Sequence, residues 1–285
     1  MNTKPRLVKE TCIAGAVIDR TIKLVYGSVG GRTRKEKTNP TPEAVQLNND
    51  RIAIRKLTRK MNANFGPGDS HIVLTYRDPV KEETAIKELK LFLRRFKRDC
   101  SKAGIELKCI WTTELDKRAH HHLLVNTSDG ITIEMIRKQW RNGNPKLMPL
   151  DDDRNYWRLA DYFIKETNHH FRDEKKQMKQ RYGCTRNLES PVIVRQPAKA
   201  SEFKTIDIKP IKGYQIDEDS IQEYINPITG IPTIYYTMTA IDAIPRCAGR
   251  WRGGKKARVV KDESFSRFEE LRQTEFSDLF EWDFL

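Results

Sequence analysis

The 285-residue sequence contains no apolar run approaching the ~20 residues of a bilayer span, and its first ten residues, MNTKPRLVKE, lack the apolar core of a signal peptide. Both absences point to a soluble, cytoplasmic protein with no membrane partner. The five cysteines (Cys12, Cys100, Cys109, Cys184 and Cys247) are scattered, odd in number and never spaced C-x-x-C. That argues against a disulfide framework or a structural zinc site and fits a reducing compartment. No G-x-x-x-x-G-K-[ST] loop is present, which removes the usual ATP-driven chemistry, and no internal repeat is found. Acid is in deficit: 39 Asp and Glu stand against 53 Lys and Arg, a formal charge of +14. From Asp262 onward there are two basic and eight acidic residues, so the part before it carries 51 and 31, about +20. A body this basic favours a polyanionic partner, because each phosphate it neutralises releases counterions.

With 38% hydrophobic and 9% aromatic residues the composition is globular. Residues 11–27 (TCIAGAVIDRTIKLVYG) read as strand, and 30–42 as an exposed basic loop. Between 43 and 64, Val45, Ile52, Ile54, Leu57 and Met61 recur at helical spacing, interleaved with Arg51, Arg55, Lys56, Arg59 and Lys60, which makes a basic amphipathic helix. Next come a strand (HIVLTYRD, 71–78), a helix (81–100), and two strands, LKCIWTTEL and HHHLLVN, close enough to form a hairpin. A short helix around 133–140 and a proline-containing loop lead to RNYWRLADYFIKETNHHF, a helix entered through the acidic run DDD. Beyond Pro197 the pattern weakens to a strand-rich stretch at 233–244, a basic loop at 246–261 and an acidic, aromatic tail. The expected division is an N-terminal segment (1–42), a catalytic-size domain (43–200) and an accessory region (201–285).

Three of the six histidines form one run, RAHHHLLVN. On a strand, His120 and His122 share one face, while His121, Leu123 and Val125 share the other. Two imidazoles two residues apart can hold one metal, and Glu114, if it lies opposite His120 across the hairpin, adds a carboxylate to the same face. Such a set leaves positions open for a substrate oxygen. The same pattern also suits solvent-facing histidines on a plain hairpin, or a redox iron site.

On the later helix, Tyr156, Leu159, Ala160, Phe163 and Ile164 fall on one apolar side. Tyr162 falls on a cationic side with Arg158 and Lys165. Lys165 stands one turn on, where an ammonium favours phenolate and pairs with phosphate.

In the order HIVLTYRD, TELDKRAHHHLLVN, DYFIKE, the chain resembles the HUH endonucleases, specifically the rolling-circle replication initiators of bacterial plasmids and phages. The matching motifs span about 43–197, and YGCTRNLESPVI also looks like a stretch downstream of the tyrosine in such initiators. The resemblance implies an α+β fold, with a central antiparallel sheet flanked by helices, the histidines on a central strand and the tyrosine helix beside it. It implies His120, His122 and Glu114 as ligands of Mg²⁺ or Mn²⁺, Tyr162 as the nucleophile, and Lys165 as its phosphate-positioning partner. Tyr182, Arg186 and Asn187 are carried over as DNA-facing, beside Arg51, Arg55, Lys56, Arg59, Lys60 and Arg158. The implied partners are single-stranded DNA at a replication origin and a host helicase and polymerase. Where the family usually has a bulky hydrophobic residue between the two histidines, this sequence has His121, so the motif alone also admits a pair built from His121. One tyrosine fits the nucleophile position, whereas some initiators use two. A relaxase or single-tyrosine transposase shares this chemistry, and a non-catalytic DNA-binding replication or regulatory protein shares the basic surface.

Overall fold

The structure, a computed structural model, describes residues 6–25, 43–115, 118–152, 154–167, 180–203, 208–225 and 232–241. The basic loops at 30–42 and 246–261 and the acidic tail lie outside the described residues. The fold is α+β: two antiparallel sheets and, among the described residues, four α-helices. No described helix is long and apolar enough to cross a membrane. The chain divides into two compact units, Ile54–Ser190 and a second drawn from Met1–Ala53 and Pro191–Leu285.

The second unit begins with strands β1 (Arg6–Ala14) and β2 (Val17–Val25). The stretch expected as one strand is two, because Gly15 takes a φ of +58° and lets Ala14 pair with Val17 across a two-residue turn. Only glycine takes that first turn position without strain. Helix α1 (Glu43–Asn64) follows, and its residues from Ile54 onward belong to the first unit.

That first unit, Ile54–Ser190, holds the strands β3 (Ser70–Thr75), β4 (Cys109–Glu114), β5 (His120–Val125), β6 (Pro145–Pro149) and β7 (Gly183–Cys184). Its helices are α2 (Glu82–Lys102), α3 (Ile133–Gln139) and α4 (Trp157–Glu166). The sheet runs β6-β3-β5-β4-β7, which puts the histidine strand at its centre. The proline-containing loop expected before α4 includes an edge strand instead, a position that tolerates proline because one row of its hydrogen-bonding groups is unused.

One face of this sheet is core. Helix α2 buries Ala85, Leu89, Phe92, Phe96 and Cys100, a spacing of three and four that forms a single stripe. These pack with Ile72 and Leu74 of β3, Cys109 of β4, Leu123 and Val125 of β5, and Trp140. Phe92 and Phe96 stack with ring centroids 5.2 Å apart. Truncating either to alanine costs about 3–5 kcal/mol, the lost transfer energy plus the cavity. At the sheet's other edge, the Trp111 ring lies over Gly183, where an added Cβ would meet it at 2.3 Å; this fixes glycine in the YGC stretch.

The second unit is completed by β8 (Val192–Pro197), β9 (Tyr214–Ile216), β10 (Gln222–Ile225) and β11 (Pro232–Ala240). Its sheet order is β10-β11-β2-β1-β8, with β9 on β11. Residues 6–25 and 192–240, assigned from sequence to separate regions, therefore share one sheet. Pairings such as Val8 with Pro197 and Val17 with Thr239 join positions too distant for any local pattern to announce. Its core holds Ile18, Ile22, Ile234, Tyr236 and Met238.

Candidate metal centre and nucleophile

Register builds the site. Across the β4–β5 pair, Glu114 faces His120, Thr113 faces His121 and Thr112 faces His122. Side chains directly opposite share a face, so Glu114, His120 and His122 converge on the side away from α2. Glu114 Oε2 lies 2.8 Å from His120 Nε2 and 3.6 Å from His122 Nε2. One ligand atom from each of the three residues falls within 4.8 Å of the others, a group that could hold a metal ion. The outer ring nitrogens fit the same use. His120 Nδ1 is 2.8 Å from the carbonyl of Arg118, which can only accept, so the proton belongs on Nδ1 and the Nε2 lone pair faces Glu114. His122 Nδ1 is 3.1 Å from His71 Nε2.

His121 is turned to the opposite face and is 0% exposed. Both its nitrogens are engaged there, Nδ1 with Thr113 Oγ1 at 2.9 Å and Nε2 with Tyr76 Oη at 2.9 Å. Burial, then its neighbour His120, holds its pKa down at about 3, so it is a neutral core residue. Burial likewise lowers His122 to about 3, with His71, His120 and His121 adding to the shift, and lowers His71 to about 4.

Helix α4 lies on the metal-candidate face, with the Phe163 ring 5.5 Å from His71 and 5.9 Å from His122. Tyr162 Oη is 3.2 Å from His122 Nε2, and the two rings meet edge to face at 5.1 Å. The two tyrosines part as the helical wheel expects: Tyr156 is 5% exposed and Tyr162 37%. Burial, then Glu166 and Glu114, pushes the Tyr162 phenol up to about 12.

Two expectations about this helix need correction. The acidic run does not start it: no acid lies in its first turn, and Arg154, at φ +58°, stands between Asp152 and the helix. Asn62 of α1 does the capping, its Oδ1 accepting from the Tyr156 backbone N–H at 2.9 Å. Lys165 does not approach the phenol; it pairs with Asp161 at 2.7 Å and is 67% exposed.

The residues expected to meet a nucleic acid are scattered. Arg51 is exposed, with its guanidinium 5.4 Å from the Tyr224 ring centroid. Lys56 is exposed and Arg55 half-buried, Lys60 Nζ lies 3.6 Å from Cys184 Sγ, and Arg59 is only 9% exposed. Arg158 is exposed, its guanidinium 5.8 Å from the ring of Trp157, itself 50% exposed. Arg186 is exposed and Tyr182 partly buried, whereas Asn187 spends its amide on Glu106 Oε1 (3.0 Å) and the Leu107 carbonyl (3.1 Å).

His71 is the residue the sequence reading passes over. Its only local signal is a histidine opening a strand, and its place beside His122 follows from the β3–β5 register, Val73 opposite His122 and His71 opposite Leu124.

Residues 69–181 match the family model of the replication-associated protein ORF2. Over that stretch the chain is similar to replication-associated proteins of the initiator type. The match supports a replication-related role, and the Glu114, His120, His122 and Tyr162 constellation lies inside it. No curated protein and no solved structure matches the chain.

Proposed function

We propose that this protein is a rolling-circle replication initiator that nicks and rejoins single-stranded DNA by tyrosine transesterification. The observation that carries the reading is the Tyr162 hydroxyl 3.2 Å from His122 Nε2, at the edge of a Glu/His/His group able to hold a metal, inside the stretch similar to replication-associated proteins. A divalent cation held by His120, His122 and Glu114, Mg²⁺ or Mn²⁺, would polarise the scissile phosphate and offset the carboxylate charge that keeps Tyr162 a phenol.

Tyr162 Oη bonds to phosphorus as the bond to the 3′ oxygen breaks. The phenolic proton is given up and the departing 3′ oxygen takes one on, leaving a 5′-phosphotyrosyl ester and a free 3′-hydroxyl. The phosphodiester energy stays in the tyrosyl ester, so rejoining requires no nucleotide hydrolysis. Lys165, exposed on the same helix, exchanges Asp161 for a phosphate oxygen of the bound strand. Arg51, Lys56, Arg158 and Arg186 add backbone attraction, and the Trp157 ring is a surface on which a base can stack.

The test is incubation of the protein with a 5′-labelled pool of single-stranded DNA and Mn²⁺, followed by denaturing electrophoresis. The expected product is a metal-dependent covalent adduct that peptide mapping places on Tyr162. Cleavage without an adduct, or an adduct on another residue, refutes the mechanism.

A further inference from the structure

His120 and His122 face the same carboxylate but are held from behind by different partners. Behind His120 is a backbone carbonyl, which has no proton to give. Behind His122 is a second imidazole, His71, with Nε2 3.1 Å from Nδ1. For His122 to present a lone pair at Nε2, its single proton must sit on Nδ1, and the group behind must accept it.

We propose that His71 is a positioning residue for this site: its Nε2 accepts the Nδ1 proton of His122 and so keeps the Nε2 lone pair of His122 available to a cation. This rests on the metal-binding part of the proposed function. The fold supplies the means. His71 sits on β3, hydrogen-bonded to β5, and the β3–β5 register puts it on the face of His122, one diagonal away. Phe163 of α4 contacts both rings, at 5.5 and 5.9 Å, and so limits their rotation. The same helix carries Tyr162, so one packing arrangement sets the nucleophile and the histidine pair together. Unlike the carbonyl behind His120, His71 accepts only with its own proton on Nδ1. The orientation of His122 therefore depends on a residue that substitution can change.

The experiment measures Mn²⁺ affinity of the full chain without DNA, by electron paramagnetic resonance of free Mn²⁺, for the unmodified protein, His71→Leu, His71→Gln and His71→Asn. Thermal melts run alongside report folding. Glutamine carries a carboxamide oxygen to about the position of Nε2, whereas asparagine, one methylene shorter, does not reach it.

His71→Leu and His71→Asn are expected to lose about 10- to 100-fold in affinity, the usual effect of removing the partner behind a metal-bound histidine, and His71→Gln to recover most of it. Folded His71→Leu binding Mn²⁺ as tightly as the unmodified chain overturns the proposal, as does His71→Gln binding no better than His71→Asn. Absence of Mn²⁺ binding by the unmodified protein overturns it together with the site. Mn²⁺ binding that depends on His71 in a protein that forms no DNA adduct upholds this inference and refutes the nicking reading alone.

Discussion

Three consecutive histidines on β5 meet two environments. His121 points into the α2-facing core, closed off by Tyr76, Thr113 and Trp140, with both nitrogens occupied by hydroxyls. His120 and His122 point the other way, toward Glu114, Tyr162 and the edge of solvent. The residue type is the same and the strand is the same. What separates structural from chemical use is the period-2 alternation of the strand, together with which face a helix has sealed. A polar side chain is tolerated in the core because its partners are complete, and a reactive face is one where they are left for a ligand to complete.

The largest test of this contrast is at the nucleophile. Tyr162→Phe removes one hydroxyl from the open face and is expected to abolish the covalent adduct while leaving Mn²⁺ and DNA binding in place. Tyr156→Phe, on the buried stripe of the same helix, should keep forming it. Adduct mapping by mass spectrometry decides between them, and label on Tyr156 would break the division of faces.

The histidines themselves come next. His121→Ala should cost about 2–4 kcal/mol of stability, since it leaves a cavity and two buried hydroxyls without their partner. His120→Ala should melt close to the unmodified protein yet lose Mn²⁺ binding and cleavage. Denaturant unfolding and Mn²⁺ titration on both variants read the two effects separately, and equal loss of stability would mean that the two faces are not energetically distinct.

A smaller effect is expected from pH. His71, His121 and His122 have folded pKa values of about 4, 3 and 3, against 6.5 for an ordinary histidine, so below 6.5 the unfolded chain binds more protons than the folded one. Stability should therefore be complete above pH 6.5 and fall as pH drops toward 4, by up to about 1.4 kcal/mol per unit for each histidine. Denaturant melts in EDTA at pH 7 and pH 5 measure it; His121→Leu, which removes one of the three, should show a shallower slope.

How far the sequence could be read differs between the two units for the same kind of reason. In Ile54–Ser190 the elements are short-range and periodic. The span of α1 matches its expected one, the apolar stripe of α2 is plain, and the hairpin register that sets Glu114 opposite His120 follows from strand parity across a short turn. Contacts that depend on non-adjacent segments were not legible there: His71 reaching His122 across β3–β5, and Asn62 capping α4. The second unit consists almost wholly of such contacts. Its strands β1 and β2 find β8 and β11 from the far end of the chain, and no local spacing encodes that.

The smallest predicted effect lies on the exposed side of α4. The Asp161–Lys165 pair is an i,i+4 surface pair with the acid toward the N-terminus, worth about 0.3–0.5 kcal/mol. Lys165→Ala should therefore barely move the melting temperature. It should slow adduct formation without eliminating it, because an ammonium on a phosphate oxygen assists charge development but forms no bond in the reaction. Asp161→Asn acts in the opposite direction. It frees Lys165 and removes a negative charge from the helix that carries Tyr162, so single-stranded DNA should bind a few-fold more tightly at low salt, the gain shrinking as salt rises. Fluorescence anisotropy of a labelled oligonucleotide across a salt series measures it. A gain that persists at high salt would mean that Asp161 acts on the shape of α4 rather than through charge, and Lys165 would then have to be treated as part of the helix surface rather than of the site.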